Sequence, residues 1–263
     1  MGKRIVLTGG AGFIGSHIYD LLYKDNEVTI IDDFSAGTGL NLPDGTTVWK
    51  LDLSDPNEWS RGVIEKKLKY ADVVIDCAAQ VSTFESMIEP RKDFQINAWG
   101  KMMLLDTLRR VNDDALLIYT SSRSVHGDIP APLVAHEGYP FKAHSFYNLD
   151  KFYIEEAIRL YGKTYGMKYV ILRPAKVYGP RMPNKGLYGF MCRWIAYALQ
   201  GNPIPIWGTG DQTRDLTYVT DIAKAYPMVI DNSKALGQAY LLCDGVETTL
   251  RRLACQIDRK SVV

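Results

Sequence analysis

The sequence predicts an α/β fold built on a doubly wound parallel sheet, with a smaller lobe toward the C-terminus. In the first part of the chain, short apolar runs alternate with helix-length amphipathic segments, an order typical of buried parallel strands joined by helices. After Pro174, prolines and glycines crowd the chain through Gly210 and break it into short pieces. We therefore expect a sheet domain over residues 1–173 and a smaller lobe over residues 174–263, interleaved with the core.

Each strand of the sheet domain is predicted from an apolar run, and each helix from apolar residues at helical spacing. Pro90 falls inside the longest helical region and is expected to break or kink it. The predicted strands are Lys3–Thr8, Glu27–Asp32, Thr46–Leu51, Asp72–Asp76, Ala115–Thr120 and Tyr169–Arg173; the predicted helices are Phe13–Lys24, Pro56–Lys69, about Glu85–Arg110, Ser145–Tyr165 and Phe190–Leu199; weaker elements follow at Thr220–Ile230, Gln238–Leu242 and Thr248–Ile257.

Composition and charge exclude several functional classes. The 31 Lys and Arg residues nearly balance the 30 Asp and Glu residues, so there is no electrostatic footprint for nucleic acid or an anionic membrane. A strand begins almost at once, with no apolar signal segment before it, and no apolar run approaches membrane-spanning length. The four cysteines are scattered, with no histidine at metal-ligand spacing. We therefore expect no metal, reduced thiols and a cytoplasmic location.

A glycine-rich turn joins the first predicted strand to the first predicted helix. The segment from Gly9 to Gly15, Gly-Gly-Ala-Gly-Phe-Ile-Gly, fits the dinucleotide fingerprint. Its glycines permit a tight turn and let the backbone approach a pyrophosphate, which then gains the N–H groups and dipole of the helix N-terminus. The residues predicted to bind a dinucleotide here are Gly9, Gly12, Phe13, Ile14 and Gly15.

Acidic residues follow at the distance expected for binding the adenosine ribose. Asp32 and Asp33 end the second predicted strand, where a carboxylate accepts hydrogen bonds from both ribose hydroxyls and repels a 2′-phosphate. Because no Arg or Lys follows through Leu42, the predicted cofactor is NAD rather than NADP. Asp32 is the stronger candidate, since Asp33 could simply cap the turn; Asp52 could accept from the adenine amino group or cap a helix. Ser35 and Leu53 are predicted to line the same cofactor site.

A second pattern indicates proton transfer. Tyr147 and Lys151 are four residues apart on one predicted helix, so they share a face, and a nearby ammonium lowers the pKa of a tyrosine. Tyr-x-x-x-Lys often arises by chance, but Ser121 and Ser122 follow the fifth predicted strand, at the edge where such sheets bind ligands. A serine there can hydrogen-bond a substrate hydroxyl that is becoming a carbonyl.

Taken in order, these motifs resemble those of the extended short-chain dehydrogenase/reductase family, in its NAD-dependent epimerase/dehydratase branch. The resemblance runs from residue 3 to about residue 257. It implies a Rossmann domain that binds NAD and a lobe that binds a nucleotide sugar. The motifs are Thr8 to Gly15, Cys77-Ala78-Ala79-Gln80, Asn97, Ser121-Ser122, Tyr147 with Lys151, Arg173-Pro174, Val177-Tyr178-Gly179-Pro180-Arg181 and Gln212-Thr213-Arg214-Asp215.

The resemblance also assigns roles by position. Ser122 and Tyr147 resemble the catalytic serine and the catalytic base, and Lys151 would bind the nicotinamide ribose and tune Tyr147. The implied reaction is 4-epimerisation of a UDP-hexose or UDP-hexuronic acid through a transient 4-keto sugar, with NAD regenerated. The further cofactor contacts implied are Ala78, Ala79, Gln80, Asn97 (more often a structural hydrogen-bonder) and Pro174; the implied substrate contacts are Ser124, Lys176, Arg181 and Arg214.

Several positions depart from the family pattern. His126 stands where the family usually has Tyr, Asp150 replaces a small residue, and Lys176 occupies the place of a substrate-contacting Asn. Arg123 and Ser124 replace the acids that dehydratases and decarboxylases of this family use, which favours an epimerase by elimination. Two alternatives stay open: a net oxidoreductase acting on a nucleotide sugar, and a cofactor-binding protein with weak or lost catalysis.

The resemblance further implies a homodimer, formed through the helices at about Glu85–Arg110 and Ser145–Tyr165. Family members usually continue well beyond Thr248–Ile257, so the end at Val263 suggests either a truncation or a reduced substrate lobe. One Met-rich stretch either faces the partner or belongs to the core: Trp99, Met102, Met103 and Leu104.

Overall fold

The computed structural model of the protein describes residues 2–130, 133–183 and 190–260. Strands and helices alternate through most of these residues, as predicted. The strands are β1 Arg4–Thr8, β2 Glu27–Asp32, β3 Val48–Lys50, β4 Val73–Asp76, β5 Leu116–Thr120, β6 Lys168–Pro174, β7 Lys176–Tyr178, β8 Thr213–Tyr218, β9 Ala239–Leu242 and β10 Glu247–Thr249. The helices are α1 Phe13–Leu22, α2 Pro56–Ser60, α3 Val63–Leu68, α4 Thr83–Ile88, α5 Pro90–Phe94, α6 Gly100–Val111, α7 Phe146–Tyr165, α8 Phe190–Leu199, α9 Val219–Ile230 and α10 Leu250–Lys260, with a π-helical turn at Gln95–Trp99.

Seven strands form a parallel sheet, which confirms the predicted fold class. Their order is β3-β2-β1-β4-β5-β6-β9, and each neighbouring pair is parallel. The direction of winding reverses between β1 and β4, and at such a switch point the loops diverge and leave a crevice at the carboxyl edge of the sheet. The crevice is therefore bounded by the loops that follow β1, β2, β4 and β5.

Helices cover both faces of this sheet. On one face, α1 and α9 pack together against β1, β4 and β5. On the other face, α3, α6 and α7 bury a second apolar cluster. Because the central strands are buried on both sides, they appear in the sequence as continuous apolar runs. No helix in the described ranges is both long enough and apolar enough to cross a membrane.

Two helical regions are divided more finely than the sequence predicts. The segment expected as one helix at Pro56–Lys69 forms α2 and α3, because Gly62 adopts a φ of 66° between them. The long region at about Glu85–Arg110 divides into α4, α5, the π-helical turn and α6. Pro90 is the first residue of α5, where its missing N–H costs no helical hydrogen bond.

The residues after Pro174 contribute to both parts of the molecule. The strands β7, β8 and β10 form a small second sheet, on which α8 and α10 pack through Met191, Trp194 and Leu253. However, β9 joins the large sheet beside β6, and α9 covers the face beside α1. The lobe is thus interleaved with the sheet domain in chain order, and its assignment as a separate domain from residue 174 stays a prediction.

Candidate active site

The glycine-rich turn follows β1 directly, at the switch point of the sheet. Gly12 is the N-cap of α1, and no side chain in the described residues caps this end of the helix. The N–H groups of Phe13 and Ile14 are therefore available to a ligand. Gly15 allows α1 to begin this close to the strand, because a Cβ there would lie 2.1 Å from the carbonyl oxygen of Gly9. This uncapped helix end suits the pyrophosphate of a dinucleotide.

The carboxylate of Asp32 is buried at the end of β2 and faces the turn. Its oxygens accept hydrogen bonds from the N–H of Ala11 at 2.9 Å and of Phe34 at 2.8 Å. Burial raises the pKa of Asp32, and these two backbone donors oppose the shift. Because a carboxylate offers about four acceptor positions, Asp32 retains the capacity to bind ribose hydroxyls.

The other two acids of the predicted cofactor site form local turns. Asp33 Oδ1 accepts from the N–H of Ser35 at 2.8 Å and from its hydroxyl at 2.6 Å. Asp52 Oδ1 accepts from Ser54 N–H and Oγ–H, both at 2.7 Å, while the cap of α2 is Asp55. Asp52 is thus not a helix cap, and its buried neighbour Leu53 follows it toward α2.

The loop after β4, which contains Ala78 and Ala79, is held by Gln80 and Asn97. Gln80 Nε2 donates to the carbonyl oxygen of Ser82 at 3.0 Å and to Asp93 Oδ1 at 2.7 Å. Asn97 lies in the π-helical turn, fully buried, and donates to Gln80 O at 2.8 Å and Asp93 Oδ1 at 2.9 Å. Both side chains therefore hold this loop in place through hydrogen bonds.

A buried ion pair below the glycine-rich turn was not predicted from the sequence. Lys101 Nζ lies 2.7 Å from Asp76 Oδ1, and each side chain is only 2% exposed. Lys101 also donates to Ala78 O, and the Thr8 hydroxyl donates to the same Asp76 oxygen at 2.5 Å. The pair ties β1, β4 and α6 together. A lysine inside an apolar helix and an aspartate ending a buried strand were the signals available in the sequence.

Ser122, Tyr147 and Lys151 lie close together at the carboxyl end of β5. Ser122 caps a 3₁₀ turn just after the strand, and its hydroxyl acts on the pKa of Tyr147, which lies in the first turn of α7. Lys151 Nζ donates to the carbonyl oxygen of Thr120 at 2.8 Å and lies 6.0 Å from the centre of the Tyr147 ring. The arrangement can move a proton at the tyrosine oxygen while the serine hydroxyl contacts the same group.

Burial governs the protonation of this cluster. It raises the pKa of Tyr147 to about 12, although the hydrogen bond with Ser122 opposes the shift. Burial also lowers the pKa of Lys151 to about 8, and repulsion by Lys101 adds to this effect. The expected lowering of the tyrosine pKa is therefore not found in the protein by itself, because both groups are desolvated.

A buried salt bridge stabilises the loop after β5, which contains Ser121 and Ser122. Glu155 on α7 and Arg173 on β6 pair at 2.9 and 2.5 Å, and Ser121 Oγ donates to the same carboxylate at 2.5 Å. Arg173 also donates to His126 Nε2 at 3.1 Å, so the proton of His126 is on Nδ1, 3.4 Å from Pro140 O. Burial and Arg173 lower the pKa of His126, which acts here as a neutral packing residue.

The predicted substrate residues occupy three places. Lys176 on β7 and Arg214 on the adjacent β8 have no acidic ion-pair partner in the described part of the chain. Burial and repulsion by Arg214 lower the pKa of Lys176. Arg181, in contrast, pairs with Asp20 on α1 at 2.7 Å, which places its guanidinium on α1. Ser124 lies beside the cluster, with its Oγ 2.7 Å from Ser122 Oγ. Pro174, a predicted cofactor contact, is buried at the end of β6.

The fold and the site together define a dinucleotide-binding α/β protein with a serine, a tyrosine and a lysine at the sheet edge. The model of the NAD dependent epimerase/dehydratase family matches residues 5–243, which is most of the chain. The protein therefore belongs to the NAD-dependent epimerase/dehydratase family.

Individual relatives agree with this assignment. A putative UDP-glucose 4-epimerase of Methanocaldococcus jannaschii is 36% identical over 230 residues, which cover 86% of this chain and 73% of the relative. The solved UDP-N-acetylglucosamine 4-epimerase of Methanobrevibacter ruminantium, in complex with UDP-N-acetylmuramic acid, is 35% identical with a TM-score of 0.87 over 96% of this chain and 80% of its own. The UDP-glucose 4-epimerase of Thermus thermophilus, solved with NAD, is 31% identical with a TM-score of 0.88 over 98% and 83%.

Proposed function

We propose that the protein is an NAD-dependent nucleotide-sugar epimerase, which inverts C4 of a UDP-hexose or UDP-hexuronic acid through a transient 4-keto sugar. The observation that carries the proposal is the grouping of Ser122, Tyr147 and Lys151 at the sheet edge where the glycine-rich turn also lies. The names of the relatives support it, since all three described above are UDP-sugar 4-epimerases.

The residues at the switch point fit NAD. The uncapped start of α1 at Gly12 would hold the pyrophosphate, and Asp32 would accept from the adenosine ribose. Lys151 would reach the nicotinamide ribose and Pro174 would lie against the nicotinamide; Asp52 and the loop after β4 would line the remaining cofactor surface. When bound, oxidised NAD accepts a hydride from the substrate carbon, returns it later, and brings a positive charge to the site.

Tyr147 acts as the base and acid in this proposal. Its oxygen removes the proton of the C4 hydroxyl and returns a proton to the same oxygen at the end of the reaction. Because burial raises the pKa of Tyr147 to about 12, nearby positive charge is required to form the phenolate. Lys151 supplies part of that charge, and Ser122 donates a hydrogen bond to the reacting oxygen.

Lys176 and Arg214 would bind the diphosphate of the nucleotide sugar. They lie on adjacent strands of the small sheet, and burial together with the charge of Arg214 lowers the pKa of Lys176. Two neighbouring cations without an acidic partner in the described residues repel each other, and a bound diphosphate relieves that repulsion. This favours a nucleotide sugar over an uncharged sugar as the substrate.

The experiment that tests the function is incubation with UDP-glucose, UDP-N-acetylglucosamine and UDP-glucuronic acid, each with and without added NAD. We expect conversion of one or more of them to the C4 epimer, measured by chromatography, with no accumulation of NADH. Stoichiometric NADH formation would instead show a net oxidoreductase, and absence of any conversion or NAD reduction would show a protein with lost catalysis.

Tyr147→Phe is the matched variant for this assay. It removes only the phenolic oxygen, so bound NAD and the melting temperature should stay close to those of the wild type. We expect kcat to fall by about 100-fold or more, the range in which general acid–base groups act. Turnover that survives this substitution unchanged would contradict the proposed mechanism.

We further propose a homodimer and a reducing, cytoplasmic environment. Apolar side chains on α4, α5 and α7 are exposed in the single chain, among them Phe84 at 56% and Leu160 at 60%, which marks a candidate interface. Leu104 belongs to the core, so it does not contribute to this surface. All four cysteines are free thiols, which supports a reducing compartment.

A further inference from the structure

A chain of hydrogen-bonding side chains runs from the start of α7 to Ser122. Ser145 Oγ donates to Asn148 Oδ1 at 2.7 Å, and Asn148 Nδ2 donates to Ser124 Oγ at 2.7 Å. Ser124 Oγ in turn lies 2.7 Å from Ser122 Oγ. Asn148 is completely buried and Ser145 is 7% exposed, so no solvent competes for these bonds at the helix start.

The helix cap fixes the orientation of Asn148. Ser145 is the N-cap of α7, and its oxygen accepts from the backbone N–H of Asn148 at 3.3 Å. The single proton of the Ser145 hydroxyl is then available to the amide oxygen of Asn148. The amide NH₂ of Asn148 consequently faces Ser124, and an NH₂ group can only donate.

This orientation favours one direction for the remaining bonds. Ser124 Oγ accepts from Asn148, which leaves the Ser124 proton free to be donated to Ser122 Oγ, in a contact where either hydroxyl can be the donor. Ser122 Oγ also accepts from the backbone N–H of Ser124 at 3.2 Å. With Ser124 as the donor, two donors are directed at the Ser122 oxygen, and Ser122 is left to donate its own proton on the side of Tyr147, whose pKa its hydroxyl lowers.

We propose that Asn148 and Ser124 are positioning residues that make Ser122 a hydrogen-bond donor toward the reacting oxygen of the substrate. The proposal rests on the proposed function, in which that oxygen becomes a carbonyl oxygen. A carbonyl oxygen only accepts hydrogen bonds, so a Ser122 hydroxyl turned toward Ser124 would present lone pairs to it. The chain from the helix cap thus prepares the donor before substrate binds.

Asn148→Asp is the most informative substitution, because it keeps the shape of the side chain and removes the NH₂ donor. We expect kcat to fall by about 10- to 100-fold, since one donor to the reacting oxygen is misdirected, while KM and bound NAD stay unchanged. Activity should recover partly as the pH falls, because the introduced carboxyl regains a proton to donate. Asn232→Asp, the same change at an exposed turn beyond α9, should leave kcat unchanged.

Ser124 supplies a pair of neutral variants. Ser124→Ala removes the hydroxyl that donates to Ser122, and we expect a fall in kcat of about 5- to 20-fold. Ser124→Thr keeps a hydroxyl and should restore most of the lost rate. Equal rates for the Ala and Thr variants, in proteins with wild-type melting temperatures, would overturn the proposal.

The decisive control is the Ser122→Ala background. The new charge of Asn148→Asp could also slow the reaction by acting on Tyr147, and that effect would persist without Ser122. If the hydrogen-bond chain acts through Ser122, neither Asn148→Asp nor Ser124→Ala lowers kcat further in the Ser122→Ala protein. Multiplicative losses in this background would contradict the proposal.

The failure of this inference can be distinguished from failure of the proposed function. The rate of NAD reduction in a single turnover with a nucleotide sugar reports the oxidation step, whether or not the ketone is later reduced on its other face. If the wild type reduces NAD without epimerising the sugar, the proposed epimerase is refuted. The effect of Asn148→Asp on the rate of NAD reduction would still test the chain of hydrogen bonds. If the wild type epimerises the sugar and Asn148→Asp leaves the rate unchanged, only the proposed role of the hydrogen-bond chain is refuted.

Discussion

At the scale of single residues, the two ends of the site differ in charge. At the proposed catalytic end, burial holds Tyr147 neutral and lowers the pKa of Lys151 to about 8. At the proposed substrate end, Lys176 and Arg214 lack an acidic partner in the described ranges. Interactions made equally in the ground state and the transition state affect KM, whereas those made only in the transition state affect kcat. We therefore expect substitutions at the two ends to change different kinetic constants.

Lys176→Gln tests the substrate end. The substitution removes a charge-assisted hydrogen bond to the diphosphate, worth about 1.5–3 kcal/mol, so KM for the UDP-sugar should rise by about 10-fold or more. Because the diphosphate does not react, kcat should change by less than about threefold. Steady-state kinetics would show this, with Lys224→Gln on the surface of α9 as the control. A lower kcat at unchanged KM would place Lys176 in the reaction rather than in diphosphate binding.

Two carboxyl groups meet between α5 and α7, beside the catalytic cluster. Asp93 and Asp150 hydrogen-bond to each other, and the Oδ2 atom of each has no donor among the described residues. A proton shared between them satisfies both oxygens. Burial and the neighbouring Asp93 raise the pKa of Asp150 to about 7; burial also raises the pKa of Asp93, while Lys151 opposes that shift.

This pair should make stability depend on pH. Because the folded protein binds the proton of Asp150 more tightly than the unfolded chain, the stabilisation is complete at low pH and is lost as the pH rises from about 4 through about 7. Asp150→Asn keeps a donor to Asp93 and carries no charge. We expect the variant to melt a few degrees above the wild type at about pH 8, since each kcal/mol shifts Tm by about 2–4 °C, and to show a clearly smaller gain at about pH 5.

Thermal melts over this pH range would measure the effect. Asp113→Asn, at an exposed position in the turn before β5, provides the control and should track the wild type throughout. A gain in Tm for Asp150→Asn that is the same at both pH values would contradict the shared proton.

At the scale of secondary-structure elements, α7 is joined to β6 by charge as well as by apolar packing. Glu155 is fully buried on the helix, and Arg173 on the strand is 4% exposed. The same carboxylate also accepts from Ser121, so the loop that presents Ser122 depends on the position of the helix that presents Tyr147. The salt bridge therefore aligns the two elements on which the proposed catalytic residues lie.

Glu155→Gln should destabilise the protein more than its conservative appearance suggests. It leaves the Arg173 guanidinium buried without an anion, and breaking a buried pair in this way costs about 3–5 kcal/mol. Glu156→Gln alters the neighbouring residue on the exposed side of α7, where ion pairs contribute about 0–1 kcal/mol. Urea unfolding of the two variants would separate these cases, and similar midpoints would contradict the importance of the buried pair.

The elements and residues that could be predicted are those with local signals. Apolar runs place β1, β2, β4, β5 and β6 almost to the residue, and the turn, Asp32 and the catalytic cluster follow from their distance to strand ends. The strands β7 and β8 are half-exposed, so they lack a clear pattern. Lys101 with Asp76 and Glu155 with Arg173 join partners 25 and 18 residues apart, and a sequence pattern carries no signal for which distant residues will pair.

At the scale of the whole molecule, one surface carries a contiguous group of exposed apolar side chains. It consists of α4, α5 and α7, which pack side by side. On α7, the residues Phe146, Leu149, Tyr153 and Leu160 recur at helical spacing and are each at least 40% exposed. A continuous stripe of this kind on neighbouring helices is typical of an interface rather than of scattered surface residues. Two copies related by a twofold axis would cover it on both partners.

Leu149→Arg tests this surface directly. The substitution places a charge in the middle of the stripe, where burial without a partner is costly, so the dimer should dissociate. Light scattering after size exclusion should give twice the chain mass of 29.6 kDa for the wild type and a mass near that of one chain for the variant. Leu199→Arg changes a leucine that is 75% exposed on α8, outside the stripe, and should remain dimeric. A wild type that is monomeric across a dilution series, or a dimer that Leu149→Arg leaves intact, would show that this surface does not join two copies.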